Sequence, residues 1–283
     1  MKNVESKKKS LKEIENLDIM DFLTYLGMDS FHTGGLNTTK ELLSLASLSD
    51  KKHYKILDIG CGAGFTTRYL ASTFSNSEVT GIDLSEEMIN IAKNKSLNIP
   101  NIKFEVGDAL NLNYADNHFD IVIIESVTNL LNNKERALSE YNRVTKPSGF
   151  IFDHETYIKD ETSDEVKIKI NNGFSQLLSG DIDVPTLSEW QNVIKSKMTN
   201  PKITYTENVA NSQTFPLGKL IILNLKITYY NIISKTIRNK LTHFTNISKE
   251  LNSYINSMGF LYFCCNKTYN DTIKQEKQKA EIS

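Results

Sequence analysis

Only three cysteines occur in 283 residues, and two of them, Cys264 and Cys265, are neighbours. No disulfide framework can be built from such a set, which suits a reducing compartment. A surplus of one charge sign is also missing: 33 Lys and Arg stand against 34 Asp and Glu, a formal net charge of −1. No global basic field therefore argues for a nucleic-acid partner. No apolar run approaches the roughly 20 residues that cross a bilayer. The nearest, 217–233, is interrupted by Lys219, Asn224 and Lys226. The lysine-rich start, Met1 to Lys9, is not followed by the apolar stretch of a secretion signal. These absences predict a soluble, cytoplasmic protein with no stable membrane insertion. They leave the oligomeric state open.

What the chain does have is a regular alternation from Lys55 onward. Its pattern predicts strands at 55–59, 78–82, 102–106, 119–124 and 149–154, with helices at about 64–74, 85–95 and 133–143. Ser85 followed by Glu86 and Glu87 reads as a capped helix start. Strands alternating with helices through short connections imply parallel pairing by right-handed crossovers, hence an α/β doubly wound sheet. Upstream, apolar residues at 14, 17, 19, 22, 23 and 26 form one helical stripe, and a second helix is expected over Thr38–Leu48. Beyond Glu155 the rhythm changes. Residues 158–198 read as helical and polar, 202–209 alternate as a strand, 217–257 form one long or broken helix, and Gly259–Cys265 is a final buried strand. Residues 1–13 and the tail at 268–283 are polar and charged, and are expected to fray or be disordered.

The stretch Ile56–Phe65, I-L-D-I-G-C-G-A-G-F, carries the most information. An apolar strand bearing Asp58 breaks into Gly60, Gly62 and Gly64, with the small Cys61 between them, before a helix. Open α/β sheets bind ligands at the carboxyl ends of their strands, which is where this turn lies. Asp83 ends the second strand, 19 residues after Gly64 and next to Leu84. An acid there can accept both hydroxyls of a ribose. Asp108, followed by Ala109, ends the third strand, where a side-chain oxygen can meet an adenine amino group. Glu125 ends the fourth. The pyrophosphate fingerprint G-x-G-x-x-G needs glycine at 65, which is Phe, and Asp58 would repel a pyrophosphate. A cationic nucleoside suits this set of carboxylates, and S-adenosylmethionine fits.

On these residues the chain resembles the class I S-adenosylmethionine-dependent methyltransferases, over about residues 18–267. Asp58-Ile-Gly-Cys-Gly-Ala-Gly64 is similar to their cofactor loop, Asp83 to their ribose-binding acid and Asp108-Ala109 to their adenine-side pair. Arg143-Val-Thr-Lys-Pro-Ser-Gly149 is similar to their R-V-L-K-P-G-G turn, with Thr145 and Ser148 in place of Leu and Gly. The resemblance implies a Rossmann-like, doubly wound, seven-stranded sheet whose last strand is antiparallel, with a helical cap insertion. It implies an enzyme with S-adenosylmethionine as its cofactor, bound by Asp58, Gly60, Cys61, Gly62, Gly64, Asp83, Leu84, Asp108, Ala109 and Glu125. A bacterial small-molecule subgroup carries H-P-G-G-L, E-S-V-T and N-E. This chain has His32-Thr-Gly-Gly-Leu36, Glu125-Ser-Val-Thr128 and His154-Glu155, with Thr33 for Pro and His154 for Asn. The segment Thr33–Thr39 is also similar to one in phosphoethanolamine methyltransferases. Their catalytic Tyr–His pair would fall near Ser30 and Leu131, which disfavours phosphobase methylation.

Methyl transfer asks the protein to orient and desolvate the nucleophile and, for some acceptors, to take its proton. The candidates are His32, Glu125, His154 and Glu155. An imidazole is suited to proton transfer near neutrality, so His32 suits a base or a hydrogen-bond partner; His154 or Glu155 could orient the acceptor, while Glu125 suits the methionine ammonium or a cationic acceptor. The bland alternative for His32 is a cap or an exposed side chain, and for Glu125 a structural ion pair. Cys264 and Cys265 alternate to opposite faces of a strand, so they are not expected to chelate a metal jointly. The expected organisation is N-terminal helices (1–50) over the site and a core of 51–156 and 200–267, with insertions at 157–199 and 217–257 as a cap. The leading partner is a small-molecule methyl acceptor. The competing functions are a macromolecular (RNA or protein) methyltransferase, which lacks both its motif after strand four and a basic footprint here, and a non-catalytic S-adenosylmethionine-binding protein.

Overall fold

The computed structural model describes residues 9–17, 19–28, 35–178, 180–198, 201–206 and 227–267. Seven strands form one sheet: β1 (Lys55–Ile59), β2 (Glu78–Asp83), β3 (Ile102–Val106), β4 (Phe119–Glu125), β5 (Thr145–Ile158), β6 (Lys202–Thr206) and β7 (Met258–Asn266). Their order is β3-β2-β1-β4-β5-β7-β6. The first five strands pair in parallel, and β7 runs antiparallel to both β5 and β6. The doubly wound, seven-stranded architecture with an antiparallel last strand is present.

The central strands are near-continuous apolar runs because both their faces are covered. Ile121, Val122, Ile123 and Ile124 are fully buried and divide alternately between two cores. On one face lie Leu42 of α3 (Gly35–Ser44), Leu70 of α4 (Phe65–Thr73), Ile170 of α7 (Asp164–Leu178) and Leu251 of α10 (Lys235–Ser253). On the other lie Leu138 and Tyr141 of α6 (Lys134–Val144) with Trp190 of α8 (Leu187–Lys197). Trp190 is fully buried, and its indole N–H donates to the Thr156 carbonyl. α5 (Glu86–Lys95) starts at Ser85, whose side chain accepts from the Met88 N–H.

Several boundaries differ from the sequence expectation for visible reasons. β5 begins at Thr145 and runs on to Ile158, because β7 pairs with it as far as Ile158↔Met258. The stripe at 14–25 is two helices, α1 (Leu11–Asn16) and α2 (Ile19–Tyr25). Ser10 caps α1 in a reciprocal box with Glu13, so order begins before residue 13. Region 158–198 splits into α7 and α8, the second opened by a Thr186–Glu189 capping box. The long helix is broken where Ser234 caps α10, after a shorter helix, α9, at 227–233. The tail at 268–283 and the first part of the 217–257 helix, 217–226, lie outside the described residues.

A third cluster is set apart from the sheet. Ile14, Phe22 and Leu26 pack on Ile237 and Leu241 of α10, with Ile227 and Tyr230 of α9 beside them. The Ser234 hydroxyl donates to Glu15 at 2.5 Å, and the Lys240 ammonium donates to the carbonyls of Glu15 and Leu17. Among the described residues, no helix is long and apolar enough to cross a membrane.

Candidate active site

The glycine turn joins β1 to α4. Gly60 and Gly62 have φ of 68° and 51°, and Gly64 caps α4 at 80°. These are left-handed conformations that an L side chain resists. Two of the glycines answer different needs. A Cβ at Gly60 would overlap the methyl groups of Val127, so the β1 turn and the loop after β4 meet in direct contact there. At Gly62 nothing stands within 4 Å of the Cβ position, which leaves open space over the turn. Cys61 is buried between them, its amide bonded to the Ile82 carbonyl at 2.8 Å, and burial raises its thiol far above the reactive range.

Carboxylates surround this turn. Asp58 is buried in β1 and accepts the Thr67 hydroxyl at 2.6 Å. Burial pushes its pKa up to about 8. Thr67 opposes that shift, while the charges of Glu125 and Asp83 add to it. Asp83 accepts the Gly62 amide at 2.8 Å on one oxygen and the Ser85 amide at 2.9 Å on the other. Each oxygen keeps a second lone pair. Glu125 accepts Thr66 of α4 at 2.7 Å and Thr39 of α3 at 2.9 Å. Asp58, Asp83 and Glu125 thus form one acidic group around Gly60–Gly64. Farther along the edge Asp108 is exposed and accepts the Leu110 amide, Ala109 is buried, and Leu84 and Val106 are 74% and 55% exposed.

The other sequence candidates part company. His154 lies opposite Glu125 in the sheet register, and its ring stacks on Tyr262 with centroids 4.7 Å apart. Burial, together with Glu41 and Glu125, pushes the Tyr262 hydroxyl up to about 12, against the Thr38 hydroxyl. His154 and Tyr262 are therefore neighbours of the acidic group beneath α3. Glu155, one residue on, faces the opposite side of the sheet, where it accepts the amides of Val127 at 2.8 Å and Thr128 at 2.6 Å. His32 lies outside the described residues.

Sequence reasoning passed over the threonines. Thr39, Thr66 and Thr67 are buried hydroxyls that fix the two innermost carboxylates. The available signal was Thr66-Thr67 in the first turn of a helix that follows a glycine turn, where a hydroxyl can point back toward the strand ends. Thr39 bridges 86 positions to reach Glu125, and no local pattern announces it.

With this geometry in view, comparison with known proteins is specific. Residues 50–212 match the family model for a methyltransferase domain. A demethylmenaquinone methyltransferase of Staphylococcus aureus (strain MRSA252) is 41% identical over 107 residues, covering 38% of this chain and 44% of that relative. Phosphoethanolamine N-methyltransferase 3 of Arabidopsis thaliana is 33% identical over 132 residues, 46% of this chain and 26% of that protein. The chain thus matches less than half the length of these curated relatives. Among solved structures, phosphoethanolamine N-methyltransferase 2 of Haemonchus contortus, in complex with S-adenosyl-L-methionine, has a TM-score of 0.67 over 93% of this chain and 58% of that one, at 19% identity. That likeness is one of fold.

Proposed function

This chain belongs to the methyltransferase-domain family, and from that premise we propose that it transfers the methyl group of S-adenosylmethionine to a small-molecule acceptor. The observation that carries the proposal is the open space over Gly62, bordered by the carboxylates of Asp83, Asp58 and Glu125. A cationic nucleoside matches both the shape and the sign of charge. Asp83 would take the ribose hydroxyls with its spare lone pairs. Leu84, Val106 and Asp108 would border the adenine, and the turn at Gly60–Gly64 with Glu125 would face the methionine part. When bound, the cofactor supplies a methyl on a sulfonium, open to in-line displacement.

The protein's own groups then act on the acceptor. His154 and Tyr262 lie beside Glu125 under α3 and would orient the nucleophile in a site where burial excludes water. His32, which precedes α3 in the sequence, is proposed as a base or hydrogen-bond partner. The two curated relatives are named as methyltransferases of small molecules, a demethylmenaquinone and phosphoethanolamine, and this supports an acceptor of that size. The test is titration calorimetry with S-adenosylhomocysteine, then incubation of methyl-labelled cofactor with a whole-cell extract of the source organism, its small molecules and macromolecules analysed separately. Asp83→Ala should weaken binding by at least about ten-fold through loss of a charge-assisted pair. Unchanged affinity would remove Asp83 from the ribose, and label found in RNA or folded protein would overturn the small-molecule acceptor.

A further inference from the structure

Behind the loop that follows β4, on the sheet face away from α3, two acids are buried side by side on β5. Asp153 is 0% and Glu155 2% exposed. They are two residues apart on one strand and so point to the same face. Asp153 accepts the Thr128 hydroxyl at 2.9 Å, and Glu155 accepts the Val127 and Thr128 amides through a single oxygen, Oε1. The remaining oxygens, Asp153 Oδ1 and Glu155 Oε2, are buried and have no protein donor among the described residues. Two ionised carboxylates in a dry site would leave both oxygens unsatisfied and repelling each other. One proton between them satisfies both.

We infer that Asp153 and Glu155 share one proton and thereby hold residues 126–129 against the glycine turn, acting as positioning residues for the cofactor site. What they hold needs holding. Ser126 has a φ of 59°, a left-handed conformation costly for a residue with a side chain, and Val127 is the residue that fills the space in front of Gly60. The Glu155 carboxyl also lies near the Asn129 amide. The clamp therefore spans the loop from Val127 to Asn129 and fixes the wall against which the turn is built. Its link to ligand binding rests on the reading of that turn as the cofactor site.

Uptake of a second proton is the event that would loosen the clamp. Burial raises Glu155 to about 7, against the loop amides and Lys134, and raises Asp153, reinforced by the charge of Glu155, well above the carboxylate range, so a single shared proton stays in the pair above about pH 7. The groups that face them are few. Lys134 of α6 favours the ionised form of Glu155, but its own ammonium is disfavoured by burial. Tyr141 of α6 and Cys265 of β7 are neutral, pushed up by burial and by Asp153. As pH falls through about 7 Glu155 takes up a proton of its own, its Oε1 loses the charge that strengthens the Val127 and Thr128 bonds, and the hold on the loop in front of Gly60 weakens.

The test uses the full chain and two readouts. The NMR signals of the Val127 and Thr128 amides, without ligand, should titrate together between pH 6 and 9 in the wild type and stay still in Glu155→Gln. A glutamine still accepts both amides and donates to Asp153, but it cannot ionise. Calorimetry with S-adenosylhomocysteine should show wild-type affinity rising by about five-fold from pH 6 to pH 9 relative to Glu155→Gln, the order of one strengthened buried hydrogen bond. Glu155→Ala should lose affinity even at pH 6. Asp58 ionises in the same window, but its effect is common to the wild type and Glu155→Gln and cancels in the comparison. Amide signals that do not titrate, or that titrate equally in Glu155→Gln, would overturn the shared proton. Failure to bind S-adenosylhomocysteine at any pH would instead refute the cofactor reading, and the amide titration would still decide the fate of the pair.

Discussion

Asp58 concentrates the electrostatics of the site in one side chain. Raised to about 8 by burial and two acidic neighbours, it is largely protonated at pH 7. A cation placed over the glycine turn favours the ionised form, so binding of S-adenosylmethionine at pH 7 should release part of a proton. The measurement is calorimetry in buffers of different ionisation enthalpy. The apparent binding enthalpy should vary with the buffer for the wild type and much less for Asp58→Asn. Equal buffer dependence in both would show that Asp58 does not sense the ligand's charge. The same shift makes a statement about stability. The unfolded carboxyl ionises near 3.9, so between about 4 and 8 the folded chain holds a proton that the unfolded chain has lost. The contribution of Asp58 to the stability of the free protein is fully present below that window and falls as pH rises through it. Bound cation should flatten the fall.

At the scale of elements, the informative contact is α3 on the end of β4. Thr39 is fully buried, and its hydroxyl meets a carboxylate that also takes Thr66 of α4. Two helices distant in sequence are thus pinned to one strand end, and Glu125 is held between them. Thr39→Val keeps the volume but removes a donor from a buried acid. It should lower stability by about 1–3 kcal/mol, read by denaturant melts. It should also weaken S-adenosylhomocysteine binding, because α3 would no longer be fixed over the strand end. An unchanged affinity at lowered stability would confine Thr39 to folding alone.

The sheet itself was legible because its strands are apolar runs bounded by glycine or charge, and β1 and β3 fall on the expected residues. Side-chain alternation also separates Cys264 from Cys265 into opposite cores, as expected. What alternation could not disclose was which face holds the site. His154 and Glu155 sit at the same edge, yet one lies beside Glu125 and the other clamps a loop on the far side. The partners that set these roles, Thr39 and the Val127 and Thr128 amides, are long-range contacts, and local pattern carries no trace of them.

For the molecule as a whole, the question is whether the third hydrophobic cluster folds with the sheet or separately. α10 links the two: Ile237 and Leu241 near its start belong to the cluster with α1 and α2, while Ile247 and Leu251 near its end belong to the sheet core. A small cluster joined through one helix has the build of a unit that opens at lower free energy than the whole. Phe22, 2% exposed and edge-on to Tyr230 with centroids 5.6 Å apart, is its central aromatic. Truncating such a ring in a large core costs about 3–5 kcal/mol, more than a satellite cluster can absorb. Phe22→Ala should therefore speed hydrogen exchange across Leu11–Asn16 and Ile19–Tyr25 while β1 and β4 keep their protection. If protection of β1 falls in step with that of α2, cluster and sheet unfold as one. If only α1, α2 and the first turns of α10 exchange faster, these helices can open over an intact sheet. The glycine turn, built on β1 and backed by Val127, would then stay in place while they open.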